Sequence, residues 1–516
     1  MNKQKGEKNL IQVIINLLIV SFLVLIQILA FIFLYHGVNT LSIYAKTLFI
    51  ILKIVSIIYI MYKNINPSYK IIWILLITFL PVFGILMFTL YGNTGVRGNA
   101  KKKIEKNKNK ASSYLKIKKE DYRILKEMDI QKYKQACFIT NLTDMPLYRS
   151  EKIEFLNIGE TYYEKLLNDL KKAEKYIFLE YFIISKSTLW DQIYEILEEK
   201  IKNGVKVYIM TDQLGSMSKL PQNYKDNFNQ ENIYTKFFNP LSPVLSSQIN
   251  YRDHRKIAVI DGKIAYTGGV NIGDEYINKK HPYGHWKDFG VRITGTAVKN
   301  FIIMFIDMWN MAEKNNSLEY SKYIEEEINY PNDSNGFILP FGDGPNNIQN
   351  PAENTYINLI NNAKKSIYIT TPYLILDNLM LNALKNAAQS GIDVRIIMPH
   401  IPDKKLVFML SQSFYDRLLK AGVKIYEYEK GFMHGKMCVV DSEVAVIGTI
   451  NFDFRSLYLH YECGVWSYNT DMEKKLSDEF TKIQNESKEI KYENWKKRNI
   501  FRKICEAILF LVAPLL

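Results

Sequence analysis

The sequence predicts an α/β body of two related domains preceded by N-terminal transmembrane helices. Three observations carry that prediction. Long apolar runs fill the first 92 residues, strand-like and helix-like segments alternate through the rest, and the alternating pattern occurs twice. With 516 residues and 47% hydrophobic content, the chain can build several cores.

The first apolar run, residues 10–35, carries no charge. At about 1.5 Å per residue it crosses a hydrocarbon layer about 30 Å thick. Lys3, Lys5 and Lys8 precede it, as in a signal peptide. An h-region of about 7–15 residues would be shorter, however, and no small-residue cleavage site follows Leu34. A second run, 41–62, holds Lys46 and Lys53, and a third, 69–91, holds Pro81 and Gly84 near its middle. Trp73 and the tyrosines at the run ends suit an interfacial aromatic belt. The Lys and Arg residues of 97–119 should stay cytoplasmic. Two crossings plus a re-entrant third segment satisfy that rule with an inside N-terminus, whereas three crossings require an outside one. Residues 1–92 are therefore expected to be a membrane anchor of two or three hydrophobic segments, and 93–130 a basic membrane-proximal linker.

The next segments repeat. Residues 173–180 (AEKYIFLE) parallel 363–370 (AKKSIYIT), each a helix end running into a β-branched and aromatic strand. Residues 203–210 (NGVKVYIM) parallel 390–397 (SGIDVRII), where a helix stops at glycine and a buried strand begins. Alternating strands and helices argue for α/β layers. This places a first domain at 131–318, a linker rich in Glu, Asn, Pro and Gly at 319–350, and a second domain at 351–490. The remainder, 491–516, reads as a basic and then apolar tail. Lys496, Lys497, Arg498, Arg502 and Lys503 precede an apolar stretch too short to span, which suits an interfacial helix.

The third repeated element carries the chemistry. The first copy has His254, Lys256 and Asp261, then Gly268, Gly269 and Asn271; the second has His434, Lys436 and Asp441, then Gly448 and Asn451. Residues i and i+2 of a strand share a face, so each histidine has a lysine beside it. Each aspartate closes its strand at a turn. An imidazole and an ammonium on a rigid strand suit a phosphate oxyanion, with the asparagine amide donating hydrogen bonds. One neutral histidine can attack phosphorus while a second, protonated one gives its proton to the leaving alkoxide. Two copies thus make one site, and with no carboxylate cluster beside them neither metal nor other cofactor is expected. Four cysteines without C-x-x-C spacing exclude a disulfide scaffold and a zinc-finger array.

These paired motifs resemble the HKD signature of the phospholipase D superfamily, and the chain as a whole resembles bacterial cardiolipin synthases. Local matches include 66–70 (NPSYK), Trp73 with 80–84 (LPVFG), 179–181 (LEY), 286–288 (WKD), 371–373 (TPY) and 451–456 (NFDFRS). The resemblance implies two pseudo-twofold-related phospholipase D-like α/β domains with the site at their interface. It also implies a metal-independent, two-step transfer through a phosphatidyl-histidine. By that analogy His254 is the nucleophile, His434 the general acid and base, and Lys256, Lys436, Asn271 and Asn451 the phosphate ligands. A downstream carboxylate orients each histidine, and Asp288 and Glu462 stand 34 and 28 residues after His254 and His434. Asp261 and Asp441 belong to the signature, with a mainly structural part expected of them. Asp253 stands where such proteins more often carry Asn and is expected to raise the pKa of His254. Gly435 stands where Ser or Ala is usual. The other histidines, 36, 281, 285, 400 and 460, are assigned surface or structural places.

The implied reaction joins two phosphatidylglycerol molecules into cardiolipin and releases glycerol. The alternatives are a phospholipase D hydrolase or a phosphatidyltransferase with another alcohol acceptor. The charge argues against nucleic acid. The net of +14 is concentrated at the ends: residues 1–130 hold 19 Lys and Arg against 6 Asp and Glu, 491–516 hold 6 against 2, and 131–490 hold 42 against 45. A near-neutral body between basic flanks fits an integral cell-membrane protein, multi-pass, with cytoplasmic catalytic domains and anionic lipids as partners.

Overall fold

The computed structural model describes residues 40–92, 98–149, 151–217, 219–220, 232–239, 250–312, 317–324, 335–347 and 349–515, with single positions at 96 and between 21 and 28. The chain forms two compact units, one containing residues 1–95 and the other containing 96–240 and 251–510.

In the first unit, the helix Thr40–Tyr62 is followed by Pro67–Phe79 and Pro81–Tyr91. Asn66 caps the second helix, its Oδ1 accepting from the Ser68 N–H at 2.9 Å, and Pro67 fills the first helical turn where no N–H is needed. Pro81 starts the third helix directly after the second has ended at Leu80. The two short helices fold onto each other at Gly84, where a Cβ would come within 2.8 Å of the Ile77 backbone. Trp73 and Phe88 meet edge to face at 5.4 Å beside Ile60 and Ile77. The third apolar run is therefore a helical hairpin, because Pro81 breaks it and Gly84 lets its arms close. Among the described residues, one helical stretch, Ile43–Tyr62, is long and apolar enough to cross a membrane. The run 10–35 lies almost wholly outside the described residues.

The second unit holds two sheets of matching design. Across the first, the strands are Lys152–Leu156, Gly290–Thr294, Ile264–Gly268, Lys256–Ile260, Tyr176–Tyr181, Lys206–Asp212 and Ile233–Phe238. The second repeats that order with Phe337–Asp343, Glu462–Tyr468, Val444–Gly448, Met437–Val440, Ser366–Thr370, Asp393–Pro399 and Lys424–Tyr428, adding Tyr148–Arg149 and Ser487–Glu489 at its edges. In each, the last three strands of the seven run parallel and the others antiparallel. The fold is a duplicated, mixed α/β one.

The helices between parallel strands are specified in the same way in both halves. Thr188–Lys202 starts at Ser187, which accepts from the Trp190 N–H, and buries Leu189, Ile193, Ile196, Leu197 and Ile201 before Gly204 turns the chain at φ 84°. Asn378–Gln389 starts at Asp377 and ends before Gly391 at φ 90°. Left-handed backbone at those two stops favours glycine.

Two boundaries read from composition differ from the structure. Residues 337–343, placed in a linker, form a buried strand of the second sheet; the polar residues around this seven-residue run hid it. Residues 98–111 and 119–128, placed in a basic linker, are helices of the second unit.

Candidate active site

The two halves are stitched by main-chain hydrogen bonds beside each motif. The Tyr461 N–H donates to the Arg252 carbonyl at 2.8 Å and the His254 N–H donates to the Tyr461 carbonyl at 2.9 Å. In the reciprocal place Gly431–Met433 pairs in parallel with His285–Lys287, and the His434 N–H donates to the Lys287 carbonyl at 2.8 Å. Each histidine is thereby set against the carboxylate of the other half. His254 Nδ1 lies 2.9 and 3.0 Å from the Glu462 oxygens, and His434 Nδ1 lies 2.6 Å from Asp288 Oδ2. Sequence order suggests pairing within a half; the structure exchanges the partners.

The carboxylates are themselves held. Glu462 accepts from Thr449 Oγ1 at 2.5 Å and Ser456 Oγ at 2.7 Å, and Asp288 accepts from the Phe289 N–H at 3.0 Å. Lys256 Nζ donates to the His254 carbonyl at 2.6 Å, while Lys436 Nζ donates to the His434 carbonyl and lies 3.0 Å from its Nδ1. All six side chains are buried.

Burial sets the charge states. It pushes the His254 imidazole down to about 3 against the pull of Glu462, and His434 down to about 4, with Lys436 adding to the effect and Asp288 opposing it. Lys256 falls to about 8 and Lys436 to about 7 for the same reason, the nearby carboxylates holding both up. Glu462 and Asp288 are depressed despite their burial, each by the imidazole it contacts. At neutral pH the resting site thus has two neutral imidazoles over two carboxylates. With Nδ1–H turned to a carboxylate, each Nε2 keeps a lone pair, the form a nucleophile or a base requires. An arriving phosphodiester adds a negative charge among these groups and favours an imidazolium, the form a general acid requires.

The family model for the phospholipase D-like domain of cardiolipin synthases matches residues 166–286 and again 356–484, and the phospholipase D-nuclease N-terminal model matches 51–92. Cardiolipin synthase 2 of Bacillus cereus is 37% identical over 88% of this chain and 88% of its own length. The cardiolipin synthase of Alkalihalophilus pseudofirmus is 36% identical over 89% of this chain and 91% of its own. The chain belongs to the cardiolipin synthase family.

At the level of fold, the phosphatidylserine synthase of Haemophilus influenzae Rd KW20 superposes with a TM-score of 0.55 at 15% identity, over 74% of this chain and 98% of that one. Against this family background the remaining predicted residues can be placed. Asp261 and Asp441 sit away from the imidazoles, in left-handed backbone at φ 52° and 57°. The Asp261 carboxylate accepts the N–H groups of Glu174, Lys175 and Tyr176, and Asp441 those of Lys364, Lys365 and Ser366. Both tie the motif strand to its neighbour. Asn271 accepts from the Ile183 N–H and donates to Tyr276 Oη, whereas the buried Asn451 Oδ1 has no hydrogen-bond partner among the described residues.

Two sequence peculiarities resolve structurally. Asp253 faces Arg255 and Glu180; burial lifts its own carboxyl to about 6, and the pull on His254 comes from Glu462 instead. The expected rise at His254 is overturned because desolvation outweighs that pull. At Gly435 a Cβ would meet the Phe289 ring at 2.4 Å, so this ring occupies the space a larger residue would use. Sequence reasoning missed the walls of the site. Phe182 lies 5.0 Å from the His254 ring, and Trp286, Phe432 and Tyr276 lie 5.0, 5.6 and 5.8 Å from His434. It also missed His460, 5.4 Å from the His254 ring. These residues sit on strands and loops whose period carries no distinctive spacing.

Proposed function

We propose that this chain is a cardiolipin synthase that transfers a phosphatidyl group between two phosphatidylglycerol molecules. The observation that carries the reading is the exchanged pair of histidine–carboxylate contacts, two neutral imidazoles each oriented by the opposite half. In the first step His434 takes up a proton on Nε2 as the anionic substrate binds, His254 Nε2 attacks phosphorus, the bond to the headgroup glycerol oxygen breaks, and the His434 imidazolium gives that oxygen its proton. The second phosphatidylglycerol then loses a hydroxyl proton to His434 and its oxygen displaces His254, forming cardiolipin and restoring both imidazoles. Lys256 and Lys436 offset the phosphoryl charge. Asn451 and Asn271 are assigned to the substrate phosphate, with their amide N–H groups as the donors.

The anchor is assigned to the cell membrane with the catalytic domains on the cytoplasmic side. The run 10–35 and the helix Thr40–Tyr62 would cross, and the hairpin broken at Pro81 would return to the face it entered. That arrangement keeps Lys3, Lys5, Lys8 and the basic 97–119 stretch on one side, as the positive-inside rule requires. The test is glycerol release. Purified protein in phosphatidylglycerol vesicles should release glycerol and form cardiolipin in equal amounts, and His254→Ala should abolish both. Phosphatidic acid as the main product would point to water as acceptor and overturn the transferase reading.

A further inference from the structure

His460 has no part in the transfer just described, yet it lies against the nucleophile. It follows the short helix Phe454–Tyr458, and its N–H donates to the Arg455 carbonyl at 2.8 Å. The residue is 8% exposed and neither ring nitrogen has a hydrogen-bond partner among the described residues. Its Nδ1 is 3.7 Å from Glu462 Oε1, beyond hydrogen-bond length, and its ring lies 5.4 Å from that of His254. A buried imidazole left unsatisfied on both nitrogens is costly unless something fills the space between these groups.

We propose that His254, His460 and Glu462 bind one divalent cation of the zinc class, and that filling this site switches the nucleophile off. One donor atom from each of the three lies within 4.8 Å of the other two. Ligands in a tetrahedral zinc site, with bonds of about 2.0–2.2 Å, stand roughly 3.3 Å apart. Two edges of the triangle, 2.9 and 3.7 Å, already straddle that spacing. Two imidazoles and a carboxylate suit zinc, whereas magnesium and calcium prefer all-oxygen ligands. Thr449 and Ser456 fix Glu462 from behind, as outer-shell partners of a metal ligand do. Lys256, whose charge acts on His254, opposes a cation in this place and so weakens its binding.

The chemistry of inhibition balances without an added reagent. Coordination through His254 Nε2 uses the lone pair that would attack phosphorus. Coordination through Nδ1 moves the proton from Nδ1 to Nε2, which keeps the ring neutral and leaves Nε2–H without a free lone pair. Either way His254 cannot form the covalent bond. This consequence rests on the phosphatidyl-transfer reading; metal binding itself does not.

The experiment uses the full chain in neutral detergent. Competition with a chromogenic chelator counts bound Zn²⁺, with Mg²⁺ as control, and glycerol release from phosphatidylglycerol is followed at each Zn²⁺ concentration. The wild type should bind one Zn²⁺ and no Mg²⁺ at this site and lose activity as it fills. His460→Asn and His460→Gln should each lose that equivalent, and half-inhibition, relative to each variant's own uninhibited rate, should require at least tenfold more Zn²⁺. No bound Zn²⁺ in the wild type, or unchanged binding and inhibition in both variants, would overturn the proposal. If no glycerol is released under any condition, the function reading fails while the chelator measurement still decides the site.

Discussion

At the scale of single residues, the proposed site balances desolvation of its imidazoles against two carboxylates. His434 illustrates the balance: burial and Lys436 disfavour its charge, and Asp288 favours it. The acid form loses its proton as pH rises through the imidazole pKa, so removing Asp288 lowers that pKa. Asp288→Asn should move the alkaline limb of kcat/KM to lower pH, and kcat should fall by about 10²–10⁴, by analogy with loss of the orienting carboxylate in a hydrolase triad. A pH profile of glycerol release checks both; an unshifted limb would show that Asp288 is only a packing residue. The histidines, lysines and asparagines were legible because the motif occurs twice at fixed spacing. His460 was not, since it lacks a counterpart in the first copy and its meaning depends on Glu462 and His254 folding around it.

At the scale of elements, short backbone pairings between halves build the site. The Asp253–Tyr461 bridge and the Gly431–Met433 ladder with His285–Lys287 carry each carboxylate to its partner. The duplicated strand order could be read from repeated sequence, but this exchange could not, because nothing local in 285–288 or 460–462 specifies a distant partner. The strand Phe337–Asp343 was hidden for a related reason: its burial is imposed by the sheet, while its neighbours have linker composition. Gly435 gives the element-scale prediction. Gly435→Ser should overpack against Phe289 and cost about 1–3 kcal/mol, read as a lower Tm. Adding Phe289→Leu should restore much of the loss.

At the scale of the molecule, charge and apolar surface divide the labour. The catalytic body is nearly neutral, and the cationic excess lies in residues 1–130 and 491–516. Near the C-terminus, Arg417 lies over the Phe510 ring at 3.8 Å and Arg498 pairs with Glu506, which docks one side of the helix Ile500–Val512. Ile500, Phe501, Ile504 and Ile508 remain exposed on it, beside Lys496, Lys497 and Lys503. Such a stripe suits the interface of an anionic leaflet. Phe501→Glu with Ile508→Glu should slow turnover on vesicles several-fold while leaving turnover in mixed micelles nearly unchanged. On the reading proposed above, both halves together form one phosphatidyl-histidine site. Its most direct test is acid-quenched mass spectrometry of the full-length wild-type protein during turnover on phosphatidylglycerol, with His254→Ala as the control. A phosphatidyl adduct on His254 and on no other residue is the predicted result. Cardiolipin formation without any histidine adduct, persisting in His254→Ala, would contradict it.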